Sequence, residues 1–544
     1  MSKIDKKTVK ETVKKCLIEC GAYLAVFVVT LVLYLCVKPY INFQRNGIVA
    51  QSVTFGLLAV VGCVVAYMGM TKRLSPKKIL VFMLIAGFLL RLGYVLYTAA
   101  SARQYDTWTP YFDGHEAYAW NFFESGKLPD NNIYQFYHPP LNALVQSAFM
   151  HFLDGLSGVL SKIFPLGDYF QTRFLFGKPD YIDGFRYFLY SGCQMLGVLY
   201  SFMICVVSIK ILSLFSLSEK TKLLLSAFVI FFPRGIQISG QLNNDLLAYL
   251  LAVLAIYYAL KWHFSRNLVW IILCALSVGL GMMTKLSSAT VCLPIAGIFI
   301  YDFVRVILSK NEAKIWKTVA QYMVFLFICA PLGLWFQIYA KIRFNQGFGY
   351  VFDNLNPALL TADKHWFARF FVTLDFSEYF GNLYCLPFEN FNIFNYAVRS
   401  AIFGEFSYWQ GEGFAFVAIV FAFISVLCLL AGQIRCLVLC IKNRKNQEAQ
   451  TDKRRVWEEV GFVGLFLLSQ IGAFLFFNIK MPYGCTMDYR YIMPTSLALA
   501  LAAGLVRDRL IKSGDGISVV VSRCMTISTG VFLIASALFY CVCI

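Results

Sequence analysis

Apolar runs of about twenty residues recur along the whole chain, with few charges inside them. A helix of that length, rising about 1.5 Å per residue, spans the hydrocarbon of a bilayer. In that solvent every backbone N–H and C=O must find a partner within the protein, so such runs are expected to form membrane-crossing helices. Composition agrees, at 59% hydrophobic and 14% charged, where a soluble domain carries about 25% charged residues. The expected fold class is therefore all-α and polytopic. Thirteen spans are predicted, at about 18–37, 47–70, 78–99, 185–208, 222–239, 246–262, 268–284, 288–304, 319–341, 412–434, 458–478, 491–506 and 517–542. The first is too long for a signal-peptide core and lacks a small-residue cleavage site, so it reads as a transmembrane helix.

The net charge of +18 invites a nucleic-acid reading. The cations instead sit in short loops between apolar runs, and no stretch interleaves basic and aromatic residues in a soluble context. No nucleic-acid partner is expected. If the spans alternate, the basic loops fall on one side: six Lys up to Lys15, four cations in 71–78, four in 305–317 and seven in 435–455. That side is cytoplasmic by the positive-inside rule. The two long segments, about 100–184 and 342–411, then fall outside.

The 17 cysteines are irregularly spaced, mostly within apolar spans, and read as small buried hydrophobes. Cys385 and Cys485 fall in outer loops, where a bridge between them stays open. Five histidines without an HxxxH or HExxH pattern give no expected metal site, and no cofactor is expected. Residues 139–160 open with Pro139-Pro140 and carry an apolar stripe too short and too polar to span, which suggests an interfacial helix. There is no low-complexity tract, clear repeat or pair of broken helices in matching halves.

Within the first outer loop, "QYDTWTPYFDGHEAYAW" crowds Asp106, Asp113 and Glu116 beside His115. Three acids this close repel one another. A solvated charge or a helix cap explains any one of them, but not readily the set. Arg91 lies inside a span, which is costly in lipid and points to function or to a structural pair. Lys285 and Arg490 sit at outer span ends, against the positive-inside trend, while Arg234 is weaker because it can snorkel. Asn243, Asn244 and Asp245 suit the cap of the span from 246, with donor contact as the other reading. His138, Pro139 and Pro140 shape the loop, and Glu405 reads as structural.

These residues fall into motifs. "ARQYDTWTPYFDGHEAYAW", then "GKLP" and "YHPPL" resemble the first external loop of GT-C glycosyltransferases, in particular bacterial family 39-like members related to protein O-mannosyltransferases. "LNNDLLA" (242–248), "GMMTKLSSA" (281–289), "IFGEF" (402–406) and "RYIMPT" (490–495) follow in the family's order, and the likeness covers about 78–510. It departs where many relatives carry an Asp-Glu pair and this chain has His115-Glu116. The resemblance implies a GT-C fold in residues 74–544 with large external loops, preceded by a two-helix addition in 1–73.

It also implies sugar transfer from a polyprenyl-phosphate donor to a hydroxyl of a protein, glycan or lipid, outside the plasma membrane. Asp106, through "RQYD", is the preferred base, with Asp113 as the alternative. Arg91, Lys285 and Arg490 are expected to converge on the phosphate. Glu116, His138, Asn244 and Asp245 are further substrate-binding candidates. A transporter or flippase of lipid-linked saccharides is the alternative from another class. The aromatics of 342–411 fit sugar stacking and interfacial anchoring equally.

Overall fold

A computed structural model of the chain describes residues 6–41, 46–100, 102, 104, 107, 114–131, 133–347, 368–370, 392–404, 411–442 and 450–543. Helix accounts for 84% of the fold, and no strand occurs among the described residues. The protein is all-α and polytopic.

The helices are α1 (Lys6–Val37), α2 (Asn46–Met70), α3 (Pro76–Tyr97), α4 (His115–Ser125), α5 (Leu141–Ile163) and α6 (Gly184–Leu214). There follow α7 (Glu219–Phe231), α8 (Pro233–Gln237), α9 (Asp245–Ser265), α10 (Leu268–Thr284), α11 (Cys292–Leu308) and α12 (Glu312–Phe344). The last are α13 (Ile393–Phe403), α14 (Glu412–Lys442), α15 (Gln450–Lys480), α16 (Thr495–Ser513) and α17 (Gly516–Val542).

Local chemistry explains many of the starts. The Ser75, Ser218, Asn267 and Asp515 side chains each accept a backbone N–H in the first turn of the helix they precede. That satisfies a donor with no partner inside the helix. Pro76 at the first turn of α3 adds a preset φ and lacks an N–H that would otherwise be orphaned.

Each expected span coincides with a helix, but the count of thirteen is not confirmed. Eleven helices are long and apolar enough to cross a membrane, or twelve with a bent pair counted as one span. The bent pair is α7 and the Pro233–Gly240 segment, at 45°. Pro233 has no N–H to give and pushes Phe232 into an extended conformation, so the expected 222–239 helix breaks there. α10 is a shorter apolar helix, and α16 is interrupted near its end by Arg507, Asp508 and Arg509.

The eleven include α5, expected at the interface. Its flanks do not lie at opposite ends of the bundle. Before it, Tyr118 Oη donates to the His138 carbonyl at 3.0 Å, and within it Gln146 donates to the Leu242 carbonyl at 2.7 Å. After it, Tyr169 Oη donates to the Leu35 carbonyl and Lys38 Nζ lies 5.6 Å from the Phe176 ring. Lys38 in turn donates to the Val95 and Thr98 carbonyls, at the last turn of α3. Both flanks therefore meet the same end of the bundle, and α5 packs without crossing it.

Polar groups divide between two ends. One end gathers Lys38, the Gln104–Leu242 contact, Lys285 and Arg490. The other gathers Lys210–Glu19, His263–Asp302, Arg435–Asp515 and a knot around Asp508. The buried Asp508 carboxylate accepts from Ser218 N at 2.5 Å, Ser218 Oγ at 2.8 Å and Thr221 Oγ1, joining α7 to α16. Asp508→Ala strands those donors. We expect it to cost ~2–3 kcal/mol, read as a lower unfolding temperature in detergent; an unchanged temperature would show that the knot does not hold the two helices.

Candidate active site

α9 begins at the polar end with "NND". Asn243 Oδ1 accepts the Asp245 N–H at 3.1 Å, while Asn244, at the cap position, makes no capping hydrogen bond with its side chain. Asn244 turns aside and donates to the Thr284 carbonyl at 3.2 Å, tying the start of α9 to the end of α10. The next residue along α10 is Lys285, which leaves the helix in an extended conformation. Its ammonium makes a salt bridge to Asp245 Oδ1 and lies 4.6 Å from the Tyr491 ring. Arg490 approaches the other Asp245 oxygen at 3.9 Å and stacks 5.3 Å from the same ring. Cations over a tyrosine face gain from the ring quadrupole. Two cations thus meet one buried carboxylate.

Arg490 is held from behind. Asp488 caps the short turn Tyr489–Ile492, accepting the Arg490 N–H at 2.6 Å. Both Asp488 oxygens also accept from Arg234 Nη2 at 2.9 Å, and both side chains of this pair are fully buried. Arg234 reaches inward because the chain breaks at Pro233. Gln237, one turn on, accepts from Arg234 Nη1 at 2.6 Å. Gly404 closes over this pair at φ +73°, where a Cβ would overlap the guanidinium.

The first loop reaches the same place. Gln104 Oε1 accepts the Leu242 N–H at 2.8 Å, and Thr107 is buried, its carbonyl accepting the Glu116 N–H. His138 is half-buried and stacks on His115 at 5.3 Å between centroids. Loss of hydration, then the charges of His115, Lys285 and Arg490, pushes the His138 imidazole well below its usual range.

The expected site residues are not all together. Asp245, Lys285, Arg490, Asn244 and His138 share this corner. Arg91 does not: it donates to Ser201 Oγ at 2.6 Å and to the Gly87 carbonyl at 3.0 Å. It lines a small cavity with Tyr249, one α9 turn deeper than Asp245, so the expected trio of cations reduces to a pair. Glu116 is buried and accepts both hydrogen bonds of an Arg186 fork, at 2.5 and 2.8 Å, anchoring α4 to α6. Asp106, Asp113, Glu405 and Cys385 lie outside the described residues, as does the Cys485 side chain.

Asp488, Tyr491, Gln104 and Arg186 hold roles that no sequence motif marks. Asp488 carried a usable signal: an acid two residues before an outer-end arginine, in a segment otherwise too apolar to solvate it. The others had none, because their roles come from contacts across 70 or more positions.

Residues 192–335 match the model of the family described as dolichyl-phosphate-mannose-protein mannosyltransferase. This is the GT-C family that the motifs resemble. The matched quarter of the chain runs from α6 into α12 and contains Arg234, Asp245 and Lys285. A search of curated proteins gave no match. The match and the fold together support a multi-pass membrane glycosyltransferase of the mannosyltransferase type.

The lowered His138 pKa has a sign that can be tested. As pH falls through about 6.5, where a free imidazole protonates, the unfolded chain takes the proton before the folded one. Folded-state stability then declines. Between pH 7.5 and 5.5 the unfolding temperature should fall less in His138→Gln than in the native protein; equal falls would assign the effect elsewhere.

Proposed function

We propose that the protein transfers a sugar from a polyprenyl-phosphate donor to a hydroxyl of a protein, glycan or lipid at the outer face of the plasma membrane. The observation that carries this reading is the meeting of Lys285 and Arg490 at Asp245. A departing phosphate gains negative charge in the transition state, and preorganised cations at that point lower the barrier. Arg490 offers a planar fork suited to two phosphate oxygens, and Lys285 a compact charge. Asp245 holds both in place.

The acceptor oxygen attacks C1 of the sugar, its proton passes to a carboxylate, and the C1–O bond to phosphate breaks. Asp106 is assigned as that base and Asp113 as its alternative. In support, Gln104 is pinned to Leu242, three residues before Asp245, and Asp106 follows by two positions, a reach of at most ~7 Å. His138, neutral at physiological pH, and Asn244 line the donor side in this reading. Arg91 and Glu116 act through structure, given the partners they hold. Residues 1–73 form a two-helix addition to the catalytic 74–544.

The flippase alternative would place polar groups near mid-bilayer in two similar halves. The charged groups here gather at span ends instead.

Purified protein assayed with a polyprenyl-phosphate sugar tests the mechanism. Asp106→Asn should bind donor normally while turnover falls ~10²–10⁴-fold, and Arg490→Gln should weaken donor binding. Normal turnover in Asp106→Asn with loss in Asp113→Asn would move the base; no loss in either would reject it. Sidedness has its own test in a thiol-free background. Cysteine at the exposed position 127 should react with an impermeant reagent in intact cells, and cysteine at exposed position 310 only after lysis. The reverse would invert the topology.

A further inference from the structure

A second cavity, of about 480 Å³, lies at the opposite end of α9 from Asp245. From Asp245 to His263 the helix runs about 27 Å at 1.5 Å per residue. Phe215, just past α6, and Leu260, Phe264, Ile298, Phe462 and Leu465, from α9, α11 and α15, form its walls. Its volume lies within the ~300–1,000 Å³ typical of ligand pockets. Phe264, Tyr301 and Leu465 at its edge are exposed.

One rim of this apolar space is charged. Arg455, Glu458, Glu459 and His263 line it. Glu459 Oε1 is satisfied, accepting from Ser216 N at 2.9 Å and from Arg455 Nε at 3.3 Å. Oε2 is buried and has no donor among the described residues. A carboxylate oxygen taken out of water without a donor is costly, so it is suited to a ligand that brings an N–H. Arg455, about half-exposed beside it, suits a phosphate. An anion and a cation on one rim, above an apolar cavity, match a zwitterionic headgroup on an alkyl chain.

We propose that this cavity binds a membrane phospholipid with a primary-amine headgroup, of the phosphatidylethanolamine type. One acyl chain fills the cavity, the ammonium donates to Glu459 Oε2, and the phosphate meets Arg455. The site is separate from the candidate active site, so its failure would leave the transferase reading untouched.

The test counts lipid retained by the full chain in mild detergent, by native mass spectrometry, after exchange with phosphatidylethanolamine, phosphatidylcholine or phosphatidylglycerol. Phosphatidylcholine has the same charges but no N–H. Native protein should retain phosphatidylethanolamine at least tenfold better than either of the others. Gly461 lines the cavity and has open space where a side chain would go, whereas Gly464 is equally open but does not line it. Gly461→Leu should cut phosphatidylethanolamine retention at least tenfold, and Gly464→Leu should leave it unchanged. Glu459→Gln should lose the preference over phosphatidylcholine; if that variant does not fold, the glycine pair decides alone. Retention undiminished in Gly461→Leu, or native protein that does not distinguish the three lipids, would overturn the proposal.

Discussion

Arg234 and Asp488 are 254 positions apart and share two hydrogen bonds of 2.9 Å at full burial. Neither charge could remain there alone: removing one partner of a buried pair typically costs ~3–5 kcal/mol, because the other is left unpaired in low dielectric. The pair therefore constrains everything attached to it. Pro233 must break the helix so that Arg234 turns inward, Gly404 must lack a Cβ, and the turn at Asp488 must present its carboxylate to both Arg234 and the Arg490 backbone. Arg490 reaches Asp245 from this supported turn. A buried pair of this kind need not add net stability over apolar packing. Its effect here is geometric, because it aims a second cation at the place where Lys285 already sits.

The same solvent argument accounts for where the polar chemistry lies. Hydrocarbon offers no hydrogen bonds, so charged groups settle at span ends and pair there. At one end charges pair with one another, Asp302 with His263 and Arg266, and Asp515 with Arg435. At the opposite end, two cations share Asp245 among the described residues. This pair of cations is the feature on which the proposed donor site rests.

Much of the architecture was legible in the chain itself. Apolar runs of helical length located the helices, because a span needs only local composition. Charge bias sorted the loops, and the ends it grouped do meet in space: Lys285, Arg490 and Asp245 come from three separate predicted spans. The motif resemblance pointed to the family that residues 192–335 match. Of the expected cap at "NND", only Asn243 accepts a backbone N–H at the helix start, and Asn244 turns to Thr284 instead.

Other features depended on packing over long separations, which no local pattern encodes. Arg91 had the right depth to join the other cations, but the rotation of α3 against α6 gave it Ser201 instead. Glu116 looked like a loop acid until α6 supplied Arg186. Length and composition qualify α5 as a span, yet the contacts of its two flanks return it to the end where it began. By itself the sequence determined that this chain folds as a helical membrane bundle and which residues lie at which end. Only the tertiary structure decided which of those residues touch, because in a dry bundle a buried charge takes its role from the partner that packing brings to it.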